Sequence, residues 1–303
     1  MPASDTTPGP QSDAEIPAYL DALGVPGLAD IHVHFLPDRM LDKVWAYFDD
    51  AERNYGKAWP IHYRVSTEER LTIARRLGMR AIPALTYPHK AGMAEWLNDW
   101  NRDFAVANAD VVHCGTLYAE PEASDYVPVA LAAGARLFKV HVQVGGFAPD
   151  DPVLDPAWAA FAAARVPVVI HAGSQPLPGQ HTGPDAIAKV LARFPDLGFV
   201  IAHMGMPEYD AFADLAEQYE NVHLDTTMFA TGYFDEPAIP AAYLARLGRL
   251  QHKIVLGSDF PNIPYAYARQ LAGLAELDLG DDWMRSVLWS NGARLLGLSA
   301  ATP

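Results

Sequence analysis

Short apolar runs alternating with amphipathic helical stretches recur along almost this whole chain, and that rhythm limits its fold more than any other feature. The runs cover 29–34, 79–86, 111–117, 136–142, 166–172, 197–203, 221–226 and 253–259. Several, such as Val166 to Ile170, are continuously apolar, as strands covered on both faces must be. Helical patterns fall between them over about 67–77, 91–109, 125–133, 155–164, 183–193, 207–219, 237–248 and 265–276, with a last amphipathic stretch over 281–296. Thr67 is the predicted N-cap of the first of these, and Gly78 its stop. Strands alternating with helices form a parallel sheet, and eight of them close a barrel. The expected fold is therefore α/β, a distorted (β/α)8 TIM barrel in a single domain over 27–298, a size usual for such barrels in a chain of 303 residues.

Three stretches break the rhythm. Residues 1–26 read as an N-terminal tail and lead-in, with 1–15 rich in Pro, Ser and Asp and expected to be loose. Residues 35–66 form a long rim or lid loop after the first strand, with a short helix expected over about 39–51. It carries Trp45, Tyr47, Phe48, Tyr55, Trp59, His62, Tyr63 and Arg64, whose aromatics are expected to build a satellite core under a lid. Residues 143–155 form a second rim loop.

Charge and cysteine usage narrow the setting. With 22 basic against 37 acidic residues and a formal charge of −15, the chain has no basic run to suit nucleic acid. No run of about 18 apolar residues is present to span a membrane. A lone cysteine, Cys114, cannot form an internal disulfide, which fits a reducing, cytoplasmic compartment. It lies inside the run Val111-Val112-His113-Cys114-Gly115 and reads as a small core residue.

The chemistry is at the ends of the runs. Asp30-Ile31-His32-Val33-His34 places two imidazoles on one side of an extended segment, about 7 Å apart, able to converge on one ion. Later runs end in His141, His171, His203 and Asp259, and Lys139 shares a face with His141. Barrel enzymes carry their chemistry at these carboxyl ends of strands. Nitrogen ligands with one carboxylate suit Zn2+ and also Fe2+, Co2+ or Mn2+. His62, His89, His113, His181, His223 and His252 read as structural, with Asp225 set nearer the mouth than His223.

His-X-His at the first strand, the histidines ending the fifth and sixth, and Gly257-Ser258-Asp259-Phe260-Pro261 resemble the amidohydrolase superfamily. More narrowly, the chain is similar to the amidohydrolase-related group that includes aminocarboxymuconate semialdehyde decarboxylase-like enzymes. The landmarks run from residue 30 to Asn291-Gly292-Ala293-Arg294-Leu295-Leu296-Gly297. The resemblance implies that His32, His34, His171 and Asp259 bind a metal, and that Asp259 also serves as base. It makes His203, in Ala202-His203-Met204-Gly205, the histidine that acts on substrate or as acid/base. It allows Lys139, in Phe138-Lys139-Val140-His141, to be a carboxylated bridge between two metals, although the decarboxylase-like branch uses one metal and no bridge. One Zn2+-like ion and an unmodified Lys139 facing a substrate carboxylate or oxyanion is the preferred reading. His141 and Arg64 are further candidates for substrate contact, and Arg64 is equally suited to a surface ion pair.

The expected function is metal-dependent hydrolysis of a small-molecule ester, amide or lactone. Non-oxidative decarboxylation of a small carboxylic acid is the alternative, and a non-catalytic small-molecule-binding barrel the second. A small molecule is the expected partner, and a homodimer is compatible with the resemblance.

Overall fold

The computed structural model describes residues 6–234 and 238–298. The chain divides into two compact units, one of Met1–Ile82 and Thr226–Pro303, the other of Pro83–Asp225.

In the unit Pro83–Asp225, strands Cys114–Thr116, Leu137–His141, Val168–His171, Phe199–Ile201 and Val222–Asp225 lie side by side in chain order, all parallel. The register pairs Gly115 with Phe138, His141 with His171, Val168 with Phe199 and Phe199 with Val222. Every residue of these strands is buried except His141, as expected of a parallel sheet with both faces covered. Those helices are Ala94–Ala107, Ala123–Ala132, Asp155–Ala164, Pro184–Arg193 and Tyr209–Gln218. The helix Asp155–Ala164 turns Trp158 and Phe161 to the sheet, with ring centroids 5.5 Å from Phe199 and 4.5 Å from Phe138. A Cβ at Gly115 would fall 2.4 Å from the Phe138 ring, so only glycine fits beside it. Buried Asn98 reaches from its helix to the strand Cys114–Thr116. It accepts the Thr116 N–H at 2.7 Å and donates to the Thr116 carbonyl at 3.1 Å.

Cys114 is wholly buried in that strand, and burial pushes its thiol up to about 12. A raised value means scarce thiolate at neutral and mildly alkaline pH. Native protein should therefore leave a disulfide-exchange reagent such as DTNB unreacted at pH 8, with one thiol appearing only in denaturant. Prompt native labelling would show that the strand opens.

The other unit holds the N-terminal segment, the lid and the C-terminal elements. The expected strand 29–34 forms without a regular ladder. Isolated bridges join Leu28 to Met79 and Val33 to Phe260. The Ile31 N–H donates to the Leu256 carbonyl at 2.9 Å, the His34 N–H to Phe260 at 2.7 Å, and the Asp259 N–H to His32 at 2.9 Å. The last strand shortens likewise to Ile254–Val255. The expected helix 281–296 is broken by a π-helical turn, Ser286–Ser290, between Asp281–Arg285 and Asn291–Leu295. A cause is visible. The Val287 and Leu288 carbonyls turn out of the helix to accept the N–H groups of Leu256 and Ala29, at 3.0 and 2.9 Å. A Cβ at Gly292 would meet the Ala29 carbonyl at 2.2 Å, so the helix rests directly on that backbone.

The lid contains the helices Asp38–Asp49 and Ala51–Tyr55. Its aromatics form the satellite core that the sequence suggests: Trp59 and Ala51 are buried with Met228, and Phe48, Tyr55, Ile61, Tyr233, Phe234 and Tyr265 pack around them. The helix Thr67–Arg76 is capped by Ser66 rather than Thr67. The Ser66 hydroxyl accepts the Glu69 N–H at 3.2 Å while the Glu69 carboxylate accepts the Ser66 N–H at 3.0 Å. Thr67 is used otherwise, accepting from Arg70 Nη2 at 2.6 Å. Arg70 is fully buried between the rings of Phe35 and Trp45, which ties this helix to the residue after His34.

The expectation of a loose tail is corrected from residue 6 onward. Thr7 bonds the Asp281 carboxylate through its N–H at 2.7 Å and its hydroxyl at 2.8 Å. Pro10 and Ile16 are buried, and Gly9 lies so close to Ala272 that a Cβ would stand 2.5 Å from its Cα. Polar composition misled because these side chains find partners far along the chain. Residues 1–5, and position 237 of the expected helix 237–248, lie outside the described residues; that helix runs Ala241–Arg249.

Candidate metal centre

In the terminal unit, His32, His34 and Asp259 come together. One Asp259 carboxylate oxygen lies 3.1 Å from His32 Nε2 and 3.0 Å from His34 Nε2. The imidazoles are buried, 0% and 4% exposed, whereas Asp259 keeps 19% of its side-chain surface, so a small molecule can approach the carboxylate. Asp259 has φ 67, in the left-handed region, where a non-glycine residue persists only if its surroundings hold it. Such strain, of order 1–3 kcal/mol, collects at functional sites.

Neighbours fix the group. Thr227 Oγ1 stands 3.1 Å from His32 Nδ1. A hydroxyl can accept as well as donate, so a His32 Nδ1–H would leave the Nε2 lone pair directed toward Asp259. Asp30 is fully buried. It accepts the His32 N–H at 3.0 Å, the Tyr267 hydroxyl at 2.7 Å and the Ser258 hydroxyl. Burial pushes its carboxyl up to about 7 against the lowering effect of those bonds. Arg64 is directed elsewhere: its guanidinium forms a two-pronged ion pair with Asp49 on the lid and lies 5.4 Å from the Trp45 ring centre.

In the unit Pro83–Asp225, His141 and His171 end their strands, His203 stands just beyond its own, and Lys139 lies within the strand Leu137–His141. His141 and His171 are register partners with stacked rings, centroids 4.1 Å apart, and the His171 and His203 centroids lie 4.6 Å apart. His171 Nε2 lies 2.9 Å from the Gln175 carbonyl. A carbonyl only accepts, so Nε2 carries the proton and the Nδ1 lone pair faces away from that bond. His141 Nδ1 accepts the Val144 N–H at 3.3 Å. Lys139 is 1% exposed, two positions before His141.

His203 lies beyond its strand, contrary to the expected run 197–203. Strand Phe199–Ile201 stops first, and His203 and Met204 both sit at φ 56 in a tight turn. The His203 N–H donates to Asp225 at 2.9 Å, and Asp225 is itself fully buried at the end of the next strand. Asp225, which the sequence places near the mouth, has its role here in holding the His203 backbone. Thr227 and the locking role of Asp30 are not read from the sequence, although the Asp preceding the two histidines is conspicuous there.

The amidohydrolase family model matches residues 29–298. The chain belongs to the amidohydrolase family. Members are metal-dependent enzymes, and this amidohydrolase is one of them. Solved structures show the same fold, the (β/α)8 barrel. A TIM-barrel protein from Bordetella bronchiseptica has a TM-score of 0.70 at 21% identity, covering 89% of this chain and 98% of its own. A 5-carboxyvanillate decarboxylase from Novosphingobium aromaticivorans, complexed with manganese and 4-hydroxy-3-methoxy-5-nitrobenzoic acid, has a TM-score of 0.61 at 14% identity and covers 91% and 97%. A putative 2-pyrone-4,6-dicarboxylic acid hydrolase from Pseudomonas putida has a TM-score of 0.58 at 12% identity and covers 90% and 98%. None of the curated proteins matches the chain. Among the described residues, no helix is long and apolar enough to cross a membrane.

Proposed function

We propose that this amidohydrolase hydrolyses a small-molecule ester, amide or lactone, with one divalent cation, Zn2+ by preference, held by His32, His34, His171 and Asp259. The observation that carries the reading is the convergence of two imidazole nitrogens on one Asp259 oxygen at 3.1 and 3.0 Å. Ligands about 2.0–2.1 Å from a tetrahedral ion stand about 3.3–3.4 Å apart, so each of these two imidazoles needs to draw back from the Asp259 oxygen by only a few tenths of an ångström. His171 would join through Nδ1, the nitrogen not engaged by Gln175.

A divalent cation held by these residues would supply positive charge able to polarise a carbonyl and bring the pKa of water toward neutrality. Asp259 takes the proton from the attacking water through its accessible carboxylate. His203, fixed at its backbone by Asp225, returns a proton to the leaving oxygen or nitrogen, so the exchange balances. Lys139 meets the oxyanion or carboxylate of the substrate with its ammonium.

One observation favours decarboxylation as a second reading. Lys139, His141, His171 and His203 gather four groups able to carry positive charge in one unit, a setting suited to a carboxylic acid. The likeness to 5-carboxyvanillate decarboxylase points the same way, with Mn2+ as the alternative metal. Metal-loaded protein offered lactones, esters and aromatic carboxylates in 18O-water separates the two. Hydrolysis predicts 18O in a newly formed carboxylate and no CO2. CO2 without 18O incorporation into that product would replace the hydrolase by the decarboxylase, and neither product would favour a binding barrel.

A further inference from the structure

A line of hydrogen-bonded polar groups in the terminal unit, half-buried at Asp13 and buried from Tyr63 inward, runs from the N-terminal segment to the backbone that carries His32. Asp13 accepts the Ala268 N–H at 2.8 Å with one oxygen and the Tyr63 hydroxyl with the other. The Tyr63 oxygen accepts the Tyr267 N–H at 2.6 Å, and the Tyr267 hydroxyl donates to Asp30 at 2.7 Å. Asp30 holds the His32 N–H and the Ser258 hydroxyl, and that hydroxyl accepts the Phe260 N–H at 3.0 Å. Asp30 thus grips the chain just before His32 and on both sides of Asp259.

The line is rigid for physical reasons. Tyr63 and Tyr267 are 5% and 0% exposed. Burial and the adjacent carboxylates push both phenols well up, so they remain donors and the direction of each bond is set. Asp13 is itself anchored, because Gly9 and Thr7 pin the preceding segment to Ala272 and Asp281. Three donors on the two Asp30 oxygens fix the orientation of this carboxyl.

We propose that Asp13, Tyr63 and Tyr267 are positioning residues, a strap through which the N-terminal segment holds His32 and Asp259 in ligand geometry. This rests on the metal-dependent reading above. Residues that orient ligands from behind typically contribute about 10–100-fold to metal affinity.

The test uses full-length protein carrying Tyr267→Phe, Tyr63→Phe, Asp13→Asn or the last two combined. Mn2+ affinity is measured by chelator competition and thermal stability is followed in parallel. Tyr267→Phe should weaken Mn2+ binding roughly tenfold. Tyr63→Phe and Asp13→Asn should weaken it less, and their combination no more than the larger single change, because they share one bond. Unchanged affinity in variants whose stability falls would reduce the line to a structural role and overturn the strap alone. Wild-type protein that takes up no Mn2+ would overturn both the strap and the reading beneath it. Should Asp13→Asn fail to fold, Tyr63→Phe, which deletes one hydroxyl, carries the same comparison.

Discussion

Asp259→Asn should lower turnover by at least about 10²-fold, toward 10⁴-fold, while leaving the fold and most of the bound metal in place. The amide keeps an oxygen where two imidazoles meet, at 3.1 and 3.0 Å from the present carboxylate oxygen. What it cannot do is accept a proton. The backbone also favours this variant, because Asn tolerates the left-handed region at least as well as Asp and residue 259 has φ 67. A drop in kcat with a melting temperature within a few degrees of wild type is the expected pair of measurements. Turnover that survives would remove Asp259 from the proton path.

Stripping the metal should have the second large effect, and it reads stability as well as rate. Protein purified without added metal should contain about one transition metal per chain by elemental analysis, and prolonged chelation should abolish activity. A ligand held at about 1,000 times its Kd stabilises the folded state by roughly 4 kcal/mol, so the stripped protein should melt several degrees lower and recover with one equivalent of Zn2+ or Mn2+. Less than about a tenth of an equivalent, with no uptake on reconstitution and no change in melting, would contradict the donor set.

Local periodicity carried much of the architecture. Helices such as Asp155–Ala164 and Pro184–Arg193 fall where apolar spacing places them, because each buries one face on the strands beside it. The pairing of His32 with His34 was legible for the same reason, as alternation along one extended segment. What could not be read depends on contacts distant in sequence. The π-helical turn at Ser286–Ser290 follows from N–H groups of Leu256 and Ala29, which no pattern within 281–296 reveals. Thr227 meets His32 across 195 positions, and Asp13 meets the backbone of Ala268 across 255. The Ser66 cap was missed by one residue, a choice settled by the Ser66–Glu69 pairing.

The division of the chain bears on how it is made. Pro83–Asp225 is interposed between the two stretches of the other unit, Met1–Ile82 and Thr226–Pro303. The ribosome therefore releases every residue of the interposed unit before Thr226 has been added. The segment bearing His32 and His34 waits through that interval without Asp259, Tyr267 or Asp281, its native hydrogen-bond partners. The unit that holds Asp259 is begun first and completed last, so its leading apolar stretches wait longest for the partners that bury them.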